Sequence, residues 1–287
     1  MSRIYDALKK LEAERNGRGN GSGSNGHGNG GGRGPGNGHG NGGGNGHRKR
    51  RGWRRFFAGN GQTGALSRLG LGIELTPEVE EAYQRLGTNL LVSAAADAGP
   101  VPHLLGITAS RHGEGTTTTA AIFASILVRR RGGRVVVVES NLRSPSFDTV
   151  FGIRRDGGLA ELIQGTRPLG EVAMPCQVPN LFAVGCGHTN LGPPALFDSP
   201  GVAAALEQLR AHFDFVIFDL PPVNVYGDTS ILAPRLDASM IVIEADRTRI
   251  PEVERTCRSL DRAGVKVVGS ILNRRRSYIP AFLEEML

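Results

Sequence analysis

The chain has 287 residues, with 34 Lys/Arg against 27 Asp/Glu and three cysteines, Cys176, Cys186 and Cys257, in no C-x-x-C spacing. That spacing argues against a metal or redox role and fits a reducing, cytosolic setting. The apolar runs are of strand length, far short of the ~20 residues of a membrane helix, and the opening MSRIYDALKKLEAER is too charged for a secretory leader. A cytoplasmic location is therefore expected, with peripheral contact at the inner face of the plasma membrane left open.

Charge divides the chain. Residues 1–60 carry 12 Lys/Arg and 3 Asp/Glu, whereas the remainder carries 22 and 24. Residues 1–15 place Ile4, Leu8 and Leu11 on one stripe of a short helix, which is marginal alone and suits docking on a partner, a membrane or its own domain. Residues 16–60, rich in Gly, Asn, His and Arg, cannot bury enough apolar surface to fold and read as a disordered basic linker. The stretch HRKRRGWRRFF (47–57) sets a basic cluster beside Trp53, Phe56 and Phe57, which suits an anionic membrane surface or nucleic acid, or else a plain solubilising linker end. No specific nucleic-acid binding is expected: the three Arg-Gly dipeptides lack interleaved aromatics.

From 61 to 273 the pattern is that of one α/β domain. Thr76 and Pro77 open a helix to about Ala95. Strand 103–108 leads to a Gly-rich turn and a helix to about Arg131. Strand 134–139, a short helix 159–164, strand 181–184, one long helix 194–213, strand 215–219, strand 240–244, helix 251–263 and strand 265–272 follow. Short, continuously apolar strands separated by helices predict a parallel sheet covered by helices on both faces, with ligands at the carboxyl ends of the strands. Residues 274–287 form a C-terminal tail.

The turn reads SRHGEGTTTT (110–119) between a strand and a helix, close to the phosphate-binding pattern G-x-x-x-x-G-K-[ST]. Its backbone would cradle phosphates through Arg111, Gly113, Glu114, Gly115, Thr116, Thr117 and Thr118. Thr117 would carry the magnesium hydroxyl, and Asp219, ending the apolar strand FVIFD, is placed like a magnesium-organising carboxylate. Thr116 stands where the pattern has lysine. His112 reads as an exposed loop side chain, and Asp228 and Asp237 as a helix cap and a turn residue.

These segments, with EAYQRLGTNLL (81–91), VVVVESNLRSPSFDTVFGI (135–153), GLAELIQG (158–165) and GDTSILAPRLDASMIVIEADRTR (227–249), resemble the bacterial tyrosine kinases (BY-kinases) of capsule and exopolysaccharide assembly. That family is a branch of the ParA/MinD-type P-loop proteins. The resemblance implies their P-loop NTPase architecture, ATP/ADP with Mg²⁺ as cofactor, and a membrane polysaccharide co-polymerase (chain-length determinant) or a partner BY-kinase as docking partner. It also exposes departures. The lysine is Thr116. The D-x-D-L-R-x-P motif reads ESNLRSP, with Glu139 and Asn141 at its aspartates. Gln84 and Gly87 replace the arginines of the assembly motif E-x-x-R-x-x-R, and the tyrosine-rich tail is reduced to Tyr278.

Phosphoryl transfer rests on positioning and charge stabilisation, so losing the lysine and altering both carboxylates should cost on the order of 10³-fold or more in rate. The expectation is a catalytically impaired pseudo-kinase that acts by docking. A functioning autokinase is the alternative, with Glu139 and Asp219 as catalytic carboxylates, Arg111 as surrogate cation and Tyr278 as phosphoacceptor. A ParA/MinD-like positioning ATPase is a further one.

Overall fold

Strands without a polar face must be buried on both sides, and that requirement organises the molecule. The computed structural model describes residues 67–68, 74–96, 100–153 and 156–275. The helix expected at 1–15, the linker 16–60 with its cluster at 47–57, and Tyr278 lie outside the described residues.

Two short antiparallel strands, β1 (Ser67–Arg68) and β2 (Glu74–Leu75), precede α1 (Pro77–Ala96). Thr76 caps α1 as expected, its hydroxyl accepting the Val79 N–H at 3.4 Å. The domain continues with β3 (Leu104–Ala109), α2 (Thr116–Arg131), β4 (Val135–Glu139), α3 (Phe147–Val150), α4 (Leu159–Gln164), α5 (Leu169–Val172), β5 (Ala173–Pro175) and β6 (Leu181–Val184). It closes with α6 (Pro193–Asp198), α7 (Gly201–His212), β7 (Phe215–Asp219), α8 (Asp228–Leu232), a 3₁₀ turn (Ala233–Arg235), β8 (Ala238–Glu244), α9 (Ile250–Arg262) and β9 (Val267–Asn273). No described helix is long and apolar enough to cross a membrane.

Seven strands form one sheet in the order β5-β6-β4-β7-β3-β8-β9. Every pairing is parallel except β5 with β6, so the expected parallel sheet gains one antiparallel edge strand. Every residue of β3, β4 and β8 is buried. On one face Leu105, Ile107, Val135, Val137, Ile217, Met240 and Val242 pack against Ala120, Phe123, Ala124 and Leu127 of α2. Truncating a fully buried aromatic such as Phe123 to Ala costs about 3–5 kcal/mol. The outer side of α2 meets α1 through Tyr83 and Leu86, and Leu75 of β2 covers Ile122 and Ile126. Wrapped on both sides, α2 shows no polar stripe.

The single helix expected over 194–213 is two. Ser199 is extended (φ −68°, ψ 151°) because the ring of Pro200 disfavours helical backbone in the residue before it, and Pro200 itself has no N–H to continue α6.

The chain leaves β3 toward β4 on one side and returns through β7 to reach β8 on the other. The turn after β3 thus lies at the point where the order reverses, where open α/β sheets leave a crevice at their carboxyl ends.

Candidate functional site

Residues 110–115 turn from β3 into α2. Gly113 and Gly115 have φ of 86° and 96°, the left-handed region that glycine adopts without strain. Gly115 has a second reason to lack a side chain: a Cβ there would lie 2.3 Å from Asn273 Nδ2. Gly115 caps α2, and Thr119 N–H reaches its carbonyl at 2.9 Å. Helix geometry leaves the first-turn N–H groups of Thr116, Thr117 and Thr118 without a carbonyl inside the helix, a standard anion-binding arrangement.

Glu114 is 1 % exposed. Its Oε2 accepts the N–H groups of Ser110 (2.7 Å) and Arg111 (3.0 Å), and its Oε1 accepts the Thr248 hydroxyl. This carboxylate therefore shapes the turn from behind. Ser110 Oγ lies 2.8 Å from the Thr256 hydroxyl of α9.

The sheet brings Asp219 beneath the start of α2. Its Oδ2 accepts the Thr117 hydroxyl at 2.6 Å, with the Thr116 side chain beside the same carboxylate. The other oxygen, Oδ1, is buried with no hydrogen-bond partner among the described residues. Burial pushes the Asp219 carboxyl up to about 7; the charge of Glu139 adds to this, while the Thr117 and Thr116 hydroxyls oppose it. Glu139 is the register partner of Asp219 across β4 and β7.

Glu139 serves a different task from its neighbour. It is 2 % exposed, and its carboxylate accepts the N–H groups of Ser146, Phe147 (2.9 Å) and Cys186 (3.1 Å). It thereby ties the end of β4 to the start of α3 and to the loop after β6. Asn141 Oδ1 is buried without a partner among the described residues. Arg143 grips Asp228 with Nε at 2.7 Å and Nη2 at 3.1 Å and lies over the Tyr226 ring at 4.6 Å. The hydrogen bond to Asp228 raises the Arg143 pKa further. Asp228 opens α8, and the exposed His112 meets the edge of Tyr226.

Thr116, Thr117, Gly115 and Asp219 converge as their spacing implied. Arg111 does not join them. Its Nη2 donates to the Arg247 carbonyl at 3.2 Å, and its Nε lies 3.8 Å from Glu252. The cation that reaches the turn is Arg274, whose Nη1 donates to the Gly113 carbonyl at 2.8 Å. Sequence reasoning missed Arg274, Asn273 and Thr248. The faint signal was the polar pair Asn273-Arg274 closing an apolar strand, since ligands gather at such strand ends.

No protein-family model matches the chain. It is 29% identical over 203 residues to the tyrosine-protein kinase CpsD of Streptococcus pneumoniae serotype 4, covering 70% of this chain and 87% of that protein. It is 28% identical over 200 residues to CpsD of Streptococcus agalactiae, covering 69% and 84%. Among solved structures, the kinase domain of VpsO superposes with a TM-score of 0.62 at 26% identity, covering 69% of this chain and 96% of that one. Both sequence relatives are tyrosine kinases matched over most of their own length, and the structural likeness extends the agreement to the fold; relatives and structural neighbours alike fit the bacterial tyrosine kinase (BY-kinase) family of P-loop proteins.

Proposed function

We propose that this chain is a catalytically impaired BY-kinase-like protein of exopolysaccharide or capsule assembly. It works in the cytoplasm by docking on a membrane co-polymerase or a partner kinase. The observation that carries this reading is the pairing of Thr116 and Thr117 with a buried, half-satisfied Asp219. Where the family expects a lysine ammonium, a neutral hydroxyl meets a carboxyl that holds its proton up to about 7. With no cation there to offset phosphate charge, transition-state stabilisation falls by several kcal/mol.

The residues present still fit a nucleotide with Mg²⁺. Asp219 Oδ1 lacks a partner among the described residues, and Thr117 Oγ1 is 2.6 Å from Oδ2; hydroxyl and carboxylate oxygens are the donors Mg²⁺ takes. Thr117 and Asp219 would hold the ion and the first-turn N–H groups would hold phosphate. The bound ion would neutralise phosphate charge. Thr117 and Asp219 orient that site, and Glu139 fixes the loops around it.

Mass spectrometry after incubation with Mg-ATP tests the proposal: no phosphotyrosine is expected, and robust autophosphorylation would end the pseudo-kinase reading. Calorimetric titration with Mg-ADP should show weak binding. A working autokinase is the second reading, favoured by the intact Thr117–Asp219 pair; it requires Tyr278 to carry phosphate.

A further inference from the structure

We propose that Asn273 and Arg274 are positioning residues that aim the backbone N–H groups of the Gly-rich turn at a phosphate anion. Through them the C-terminal tail acquires a direct hold on that turn. Asn273 ends β9, and its Nδ2 donates to the Glu114 carbonyl at 2.8 Å. Arg274 Nη1 donates to the Gly113 carbonyl at 2.8 Å and to Glu244 Oε1 at 2.9 Å. In a trans peptide the C=O and the following N–H point in opposite directions. Holding the Gly113 and Glu114 carbonyls toward β9 therefore turns the Glu114 and Gly115 N–H groups the other way. Two consecutive N–H groups aimed alike make an anion-binding concavity.

The hold is built in from several sides. Arg274 adopts φ 58°, a left-handed conformation unfavourable for a non-glycine residue. Its backbone N–H donates to Asn273 Oδ1 at 2.9 Å, so the Asn273 side chain is tied to the backbone of Arg274. Glu244, at the end of β8, anchors the guanidinium. Burial raises the Glu244 pKa, but the hydrogen bonds and charges of Arg274 and Arg247 outweigh it and keep the group ionised. Arg247 in turn receives Arg111 on its carbonyl. Both halves of the turn are thus strapped to the ends of β8 and β9, and the peptide leaving Arg274 begins the tail.

This inference rests on the reading of the turn as a phosphate binder, but one of its tests does not. Amide hydrogen exchange on the full chain without nucleotide should show the Ser110 and Arg111 N–H groups, which Glu114 Oε2 accepts, exchanging about tenfold faster in Arg274→Ala and in Asn273→Ala as the turn loosens. The strands should be unchanged, and Arg274→Lys should recover part of the protection. In parallel, Mg-ADP affinity should fall about tenfold in both Ala variants. If the wild type binds no Mg-ADP, the phosphate reading fails and exchange alone decides the positioning role. Equal protection in wild type and both variants overturns the proposal, as does an increase spread evenly across the sheet.

Discussion

Two aspartates at opposite edges of the same sheet meet opposite fates. At the amino edge, Asp237 Oδ2 accepts the N–H groups of His103 and Leu104, each at 2.8 Å, and Arg210 grips both oxygens. Burial alone would raise its pKa, but these hydrogen bonds and the Arg210 charge prevail and lower it. At the carboxyl edge, Asp219 is more deeply buried, keeps one oxygen without a partner among the described residues, and is pushed up to about 7. A carboxylate that serves folding is satisfied from all sides. One left half-satisfied is a cost to folding, and at a strand switch point it fits the proposed ligand site.

Glu139 complicates that division, since it sits at the site edge yet is bonded like Asp237. If it is a structural pin, Glu139→Ala strands three backbone N–H groups, two of them buried, and should cost about 3–4 kcal/mol, read as a fall in the denaturant midpoint. A variant as stable as the wild type would return Glu139 to the list of purely catalytic groups. Asp237→Asn should cost about 2 kcal/mol by weakening the Arg210 bonds and those to the start of β3.

Asp219→Asn should act with the opposite sign. The unfolded chain releases this proton near its ordinary value of 3.8, while the folded protein holds it to about 7. Between those pH values the unfolded state binds fewer protons, so this group makes stability fall as pH rises. A neutral amide at this position carries no such burden, so Asp219→Asn should gain about 1 kcal/mol at pH 8 and flatten the decline between pH 4 and 7 in thermal melts. Destabilisation at pH 8 would show that Asp219 serves the fold as Asp237 does. For Asp237 the sign is reversed: its stabilisation is present above 3.8 and is lost as pH falls through its lowered folded value. The smallest expected effect is that of Thr116→Lys on activity. The ammonium should bring Asp219 below 7, visible as a shift in its titration, yet no autophosphorylation should appear by mass spectrometry, because Glu139 remains committed to three N–H groups.

Much of this could be read along the chain. Four-to-six-residue apolar runs marked β3, β4, β6 and β7. Thr76-Pro77 marked the start of α1, and the strand–turn–helix around Gly115, with an apolar strand ending in Asp219, marked the site. Each is a local signal: period, cap, breaker or glycine. The same kind of signal was available but underweighted at Ser199-Pro200, where a proline divides one expected helix into α6 and α7.

What the sequence determined by itself is the family resemblance, the order of the elements and the residues that gather at the carboxyl ends of the strands. The tertiary structure decided which of those residues are available for chemistry. Arg111 and Arg274 are both cations near the turn, but the packing of α9 draws Arg111 to Arg247 and Glu252, while the end of β9 delivers Arg274 to Gly113. Glu139 and Asp219 both end apolar strands, but backbone N–H groups from residues 146, 147 and 186 converge on Glu139 alone. Those contacts join positions several to more than a hundred residues apart, and spacing along a chain carries no information about which distant donor will fill a carboxylate's lone pairs.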